Sequence, residues 1–235
     1  MFNFIPILLP EEVHIWSVCL TDNEKNIPYF MSLLSEDEHQ KANKFKFPKD
    51  KNCFIISRGI LRFLLGKYLE KNPKNIDFTY GLSGKPSLPE QFVYFNLSHS
   101  KDYVVYAVTR NYEVGIDVEY INKNIKVDDI VLNILSSEEK NYWKNVKLEE
   151  KITTFFKLWV CKEAFLKASG KGWLYTQQIS LLDKIIFFKK DNPMDKLNTE
   201  MPHPFYFEFI PGYASAFFIE GPLLRPIYST WESTM

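Results

Sequence analysis

The sequence predicts an α+β fold, a pseudo-dimer of two similar halves, each an antiparallel sheet packed with helices. Two observations carry this expectation. Ser35-Glu36-Asp37-Glu38 and Ser136-Ser137-Glu138-Glu139 each set a serine three residues ahead of a glutamate, the capping-box signature of a helix start, about a hundred residues apart. Each follows a leucine, and roughly twenty residues after each comes an aromatic-rich helix carrying charged side chains, Phe54 to Leu65 and Phe155 to Lys167. The halves are expected to divide at residues 1–110 and 111–235.

In chain order, His14 to Cys19 alternates well enough for an opening strand. The Ser35 capping box starts a helix, and the apolar helix Phe54 to Leu65, with Arg58 and Arg62 one turn apart, is ended by Asn72-Pro73. Ile76 to Tyr80, Phe92 to Leu97 and Tyr103 to Thr109 read as strands, the last two joined by the turn-rich Ser98-His99-Ser100-Lys101-Asp102. Val114 to Ile121 follows the Asn111 turn. Beyond the Ser136 capping box and the Phe155 to Lys167 helix, Ile179 to Leu182, Ile185 to Lys189, Phe205 to Ile210 and Ala214 to Ile219 complete the strands. Lys189 to Pro204, polar with three prolines, reads as a loop, and Pro222 to Met235 as a loosely held tail.

With 46% hydrophobic and 25% charged residues, 235 residues suffice for one sizeable core or two small ones. The 29 basic and 29 acidic side chains cancel, which argues against a general nucleic-acid binder. No run of eighteen apolar residues is present, and Met1-Phe2-Asn3-Phe4-Ile5-Pro6 lacks the basic start of a signal peptide. Cys19, Cys53 and Cys161 are too far apart for zinc or redox spacing and are expected as small core residues. The expectation is a soluble, cytoplasmic protein.

Two stretches carry chemistry. Along Val114 to Tyr120, Val114, Ile116, Val118 and Tyr120 share one strand face and Asp117 and Glu119 the other, roughly 6 to 7 Å apart at the backbone. On the later helix, Glu163 falls within the stripe of Ile152, Phe155, Phe156, Trp159 and Leu166, with Lys167 one turn on. Asp-x-Glu on a strand also reads as a solvated face, and Lys-Glu on a helix as an exposed ion pair. A carboxylate on an apolar stripe, however, demands a partner, and a divalent cation would satisfy all three acids at once. An all-oxygen set without Cys or His at ligand spacing suits magnesium better than zinc. Between Lys41 and Lys67, eight basic residues (Lys41, Lys44, Lys46, Lys49, Lys51, Arg58, Arg62, Lys67) face the single acid Asp50. Arg58 and Arg62 border an apolar helix, where guanidinium groups favour phosphate or carboxylate partners.

Gly84-Lys85-Pro86, Phe95-Asn96-Leu97-Ser98-His99-Ser100, Gly115-Ile116-Asp117-Val118-Glu119 and Trp159-Val160-Cys161-Lys162-Glu163-Ala164 with Lys167 follow one another in order. Over most of its length the chain thereby resembles the 4'-phosphopantetheinyl transferases of the surfactin-synthetase-activator type. The resemblance implies a pseudo-dimer of two α+β halves with the active site between them. It implies transfer of the phosphopantetheine arm of coenzyme A to a serine of an acyl, peptidyl or polyketide carrier protein, releasing adenosine 3',5'-bisphosphate.

In that frame Asp117, Glu119 and Glu163 would hold magnesium against the pyrophosphate, and Lys167 would reach the same pyrophosphate. Glu163 or a water on the metal would take the serine proton, and the residues leave that choice open. Lys41, Lys44 and Arg58, with Ser98 and His99, would bind the 3'-phosphate, and Gly84, Lys85 and Pro86 would lie near the adenine. Arg62 is expected to support the fold, Trp159 to pack beneath the site, and His14, His39 and His203 to have surface or packing roles. Carrier docking is expected near Ile121 to Leu135, and a monomer, with no nucleic-acid or membrane partner. A metal-dependent phosphodiesterase and a coenzyme A or nucleotide-binding module without catalysis are the other readings, and Glu163 on its apolar stripe speaks against the second.

Overall fold

The computed structural model describes residues 5–81, 84–89, 92–170, 173–182, 184–187 and 203–233. The expected loop from Lys189 to Pro204 lies almost wholly outside these. Two four-stranded sheets face each other, with helices on the outer side of each. The first sheet runs β10 (Arg225–Thr230), β1 (Glu12–Cys19), β5 (Tyr103–Thr109), β4 (Tyr94–Ser100). The second runs β6 (Val114–Tyr120), β9 (Tyr213–Ile219), β8 (Phe205–Phe207), β7 (Ile186–Phe187). A short hairpin of β2 (Thr79–Tyr80) and β3 (Pro86–Ser87) stands apart.

Strand alternation builds the layers. Val13 and Ile15 of β1 and Val105 and Ala107 of β5 meet Val114, Ile116, Val118 and Phe217 in a core between the sheets. The intervening Trp16, Val18, Val104 and Tyr106 face outward onto α1 (Ile27–Leu33) and α3 (Pro48–Tyr68). On the far side Ala214, Ala216 and Phe218 pack under α4 (Val127–Ile134) and α6 (Lys151–Ser169), where Gly170 ends α6 with φ +65°.

Both capping boxes form, at α2 (Glu36–Asn43) and α5 (Ser137–Trp143), and each does a second job. Glu38 is buried, and its carboxylate meets the Arg62 guanidinium at 2.6 Å while Arg62 donates to the carbonyls of Pro73 and Ile76. Glu139 is equally buried, with the Lys162 ammonium at 2.7 Å, and Lys162 donates to the carbonyls of Thr176 and Ile179. In each half, a capping glutamate, a cation from the long helix and the segment after that helix form one knot. This repeat of side-chain chemistry, more than of sequence, marks the halves as copies of one design. Buried ion pairs need their remaining protons and lone pairs bonded. Backbone carbonyls take the Arg62 and Lys162 protons and backbone amides donate to both Glu139 oxygens, while Glu38 Oε1, 3.5 Å from Arg58 Nε, has no hydrogen-bond partner.

Several expected elements differ. Ile179 to Leu182 is no strand: the Ile179 carbonyl and the Leu181 amide are taken by Lys162 and Glu139 rather than by a ladder. Ser98 to Ser100 belong to β4, because Lys101 takes φ +51° and confines the turn to two residues. The pairs β1–β10 and β7–β8 are parallel, against the antiparallel expectation. The tail is held: Arg225–Thr230 pairs with β1, and Trp231 is buried, its indole donating to Asn23. Pro226 masks this strand in the sequence, and its place at the sheet edge is where a ladder tolerates proline.

His14, 1% exposed, hydrogen-bonds Tyr68 Oη through Nδ1 at 2.9 Å and meets Glu12 through Nε2 at 3.2 Å. Burial holds its imidazole below the usual range, outweighing Glu12. The unfolded chain therefore takes up a proton near pH 6.5 that the folded protein refuses, and stability falls as pH drops below that value. The expected result is a melting temperature that declines from pH 7.5 to 5.5 and a shallower decline in His14→Gln. Equal slopes would show that the burial of His14 does not govern this range.

Candidate active site

The site begins with a glycine. A Cβ on Gly115 would stand 2.0 Å from the Ala164 carbonyl oxygen and 2.5 Å from the Ala168 amide, so only glycine lets α6 lie this close on β6. The alternation that points Gly115 at α6 also points Asp117 and Glu119 there. Asp117 is 3% exposed and its Oδ1 lies 2.6 Å from the Lys167 ammonium. Glu119 is half-buried and bonded by the Trp159 side chain, so Trp159 joins the site rather than only packing beneath it. Glu163 sits on the same helix, half-buried rather than fully core-facing.

The other wall comes from the first half. β6 is an edge strand of its sheet, and β4 is an edge strand of the other. Asn96 Oδ1 accepts from the Ile116 amide at 2.9 Å, Ser98 donates to Asp117 Oδ1 at 2.7 Å, and Ser100 donates to Glu119 Oε2 at 2.8 Å. Lys167 also donates to Ser98 Oγ at 2.8 Å. Ser98 thus faces the carboxylates, while the alternate residues Leu97 and His99 face the opposite way, into a cleft of about 360 Å³.

That cleft is lined by Lys41, Phe45, Asp50, Cys53, Phe54, Ser57, Arg58, Leu97 and His99. It gathers three of the expected phosphate ligands, Lys41, Arg58 and His99, whereas Lys44 lies exposed at the end of α2, outside the lining. The Lys41 ammonium stands 5.4 Å from the Phe54 ring centre and the Arg58 guanidinium 4.9 Å from that of Phe78. Arg58 is buried with Nε 3.5 Å from Glu38, and its Nη1 has no hydrogen-bond partner. Partial burial, then the Lys167 charge, hold the His99 imidazole below its usual range. Cys53 therefore borders a cleft rather than sitting in the core; Cys161 is the fully buried cysteine.

Gly84 takes φ +76°, which lets the Gly84-Lys85-Pro86 turn bring Lys85 against the second half. The Lys85 ammonium is 2.7 Å from Glu113 and donates to the carbonyls of Val114 and Ala168, so it braces the join of β6 and α6.

The acids repel one another. Burial first, then Asp117, raise the Glu119 carboxyl, and burial with the Asp117 and Glu119 charges pushes Glu163 up to about 7. Asp117 Oδ2 and Glu163 Oε1 are buried without hydrogen-bond partners. Among the described residues no three His, Cys, Asp or Glu side chains are gathered closely enough to form a ready metal cage. The donor set itself, oxygen only, over-charged and with two unsatisfied buried atoms, fits a hard divalent cation. Sequence reasoning missed Lys162, Ser100 and the Trp159–Glu119 bond; a cation about 23 residues after each capping glutamate was the available signal for the first.

Fold and site together give two α+β halves with an acidic, lysine-bearing centre at their seam. The family model for the 4'-phosphopantetheinyl transferase superfamily matches residues 113–208, and that for the 4'-phosphopantetheinyl transferase N-terminal region matches residues 21–111. The 4'-phosphopantetheinyl transferase HetI of Nostoc sp. is 36% identical over 178 residues, covering 74% of this chain and 75% of the relative. The slr0495 protein of Synechocystis sp. is 33% identical over 168 residues, 70% of this chain and 67% of its own. The 4'-phosphopantetheinyl transferase Sfp of Bacillus subtilis is 28% identical over 144 residues, 61% and 63%. The chain belongs to the 4'-phosphopantetheinyl transferase family, and its activity is phosphopantetheine transfer. No helix among the described residues is long and apolar enough to cross a membrane.

Proposed function

We propose that this enzyme moves the 4'-phosphopantetheine of coenzyme A onto a serine of an apo acyl, peptidyl or polyketide carrier protein, with magnesium, releasing adenosine 3',5'-bisphosphate. One observation supports this reading above the others: the Lys167 ammonium is bonded to both Asp117 and Ser98, at the seam where Glu163 is driven to a pKa of about 7. In the reaction the serine oxygen bonds to the phosphorus next to the pantetheine arm, and the bond to the bridging pyrophosphate oxygen breaks. Lys167 supplies positive charge where the leaving phosphate gains negative charge. Glu163, or a water held beside it, would accept the serine proton. Asp117, Glu119 and Glu163 would hold the magnesium, which when bound neutralises the pyrophosphate. Lys41, Arg58 and His99 line the cleft that would take the 3'-phosphate, and Gly84-Lys85-Pro86 would flank the adenine.

The first half, 1–110, would carry the nucleotide and the second, 111–235, the acids. The enzyme would work as a cytoplasmic monomer, the internal repeat supplying both walls. The test is the intact mass of an apo carrier protein incubated with the enzyme, coenzyme A and magnesium. A gain of one phosphopantetheine, lost with chelator and in Asp117→Asn, is expected. No gain across several carriers with coenzyme A still bound would favour the binding module, and coenzyme A cleavage without a carrier the phosphodiesterase.

Of the two positions where a charge would probe carrier docking near Ile121 to Leu135, Ile130 packs on the core whereas Leu132 is 63% exposed, so Leu132 is the cleaner one. Leu132→Glu is expected to raise the KM for carrier about tenfold with coenzyme A affinity unchanged, as loss of one apolar anchor of about 1.4 kcal/mol does. Unaltered carrier kinetics would remove this surface from the reading.

A further inference from the structure

We infer that Ser100 is a positioning residue for the acidic centre, fixing Glu119 by a hydroxyl whose polarity the backbone sets. The inference rests on the proposed magnesium site. A serine hydroxyl has one proton to give. The Tyr120 amide, a donor, points at Ser100 Oγ at 3.1 Å, so the oxygen accepts there. Its single proton is left for Glu119 Oε2 at 2.8 Å. The same logic holds next door: the Lys167 ammonium donates to Ser98 Oγ at 2.8 Å, which directs the Ser98 proton to Asp117 Oδ1 at 2.7 Å. Each hydroxyl therefore engages one oxygen of its carboxylate.

Alternation along β4 gives this arrangement its rigidity. Ser98 and Ser100 lie two residues apart on one strand face, as Asp117 and Glu119 do on the facing edge strand, so two hydroxyls meet two acids in matching register. Groups that orient metal-binding carboxylates in this way typically matter 10- to 100-fold for metal affinity. Ser100 touches no reacting atom in this scheme and acts only through Glu119.

The experiment is calorimetric binding of magnesium to the full chain saturated with coenzyme A, comparing wild type, Ser100→Ala, Ser100→Thr and Ser100→Cys. Ser100→Ala is expected to weaken magnesium about 10- to 100-fold, with the threonine variant, which keeps the hydroxyl, within about threefold of wild type. Cysteine, a weak donor of similar shape, is expected to lose at least about fivefold, and it answers the question should the alanine variant fail to fold. Alanine or cysteine variants with wild-type affinity would overturn the inference while leaving the magnesium site standing, and so would a threonine variant as impaired as alanine. A wild-type protein that binds coenzyme A but no magnesium would overturn the site and this inference together.

Discussion

Replacing Glu163 by glutamine is expected to stabilise the metal-free protein at pH 8 while lowering transfer about a hundred- to ten-thousand-fold, the usual range for a lost acid–base group. The two effects share one cause. Burial and the neighbouring Asp117 and Glu119 push the Glu163 carboxyl from 4.5 up to about 7, so the folded protein holds a proton that the unfolded chain gives up. Stability from this group is complete below pH 4.5 and is lost as pH rises through 7. At pH 8 the ionised carboxylate is a burden that glutamine does not carry. At 1.36 kcal/mol per unit, reduced for partial solvent screening, the gain is about 1 to 3 kcal/mol, or roughly 3 to 8 °C in Tm. Thermal melts of both proteins in chelator at pH 8 and pH 5 check this: the difference should appear at the first and shrink at the second. A glutamine variant less stable at pH 8 would mean that Glu163 is held by partners, not strained by neighbours. Magnesium should reverse the order, because it gives the wild-type acids the charge they lack.

Gly115→Ala is expected to have the largest effect on folding, a loss of more than about 3 kcal/mol, since overpacking against backbone cannot be relieved by turning a side chain. The added carbon would lie 2.0 Å from the Ala164 oxygen and 2.5 Å from the Ala168 amide, so strand and helix must part. Parting them also separates Asp117 on β6 from Lys167 on α6, now 2.6 Å apart. The variant should therefore melt more than about 8 °C lower or fail to accumulate, and any soluble fraction should show weak transfer. A soluble Gly115→Ala protein with unchanged melting would show that α6 can yield, and that closeness is not what this glycine provides.

The motif strand was legible in the sequence because its two faces differ in kind: Val114, Ile116 and Val118 against Asp117 and Glu119. The repeated helix starts were legible because capping is local chemistry, decided within four residues. What capping cannot reveal is that Glu38 and Glu139 turn inward to meet Arg62 and Lys162, contacts that bring together residues more than twenty apart. Ser98 to Asp102 reads as a turn because it is polar, yet Ser98 and Ser100 are polar on account of the acids they bond across the seam. Tertiary partners, not solvent, explain their composition. Arg225–Thr230 was hidden for the opposite reason: an edge strand with a proline shows little alternation, and only its parallel partner β1 defines it.

That last strand has a consequence for how the protein comes into being. β1 is made long before β10, yet one of its edges stays open until residue 230 has been synthesised, and Trp231 then covers Phe30 and Phe63 of the preceding helices. At about 5 to 20 residues per second, translation leaves that edge waiting for roughly ten to forty seconds. The half that is translated first is thus the half that finishes last, and through the interval it carries an open strand edge of the kind that other chains can pair with.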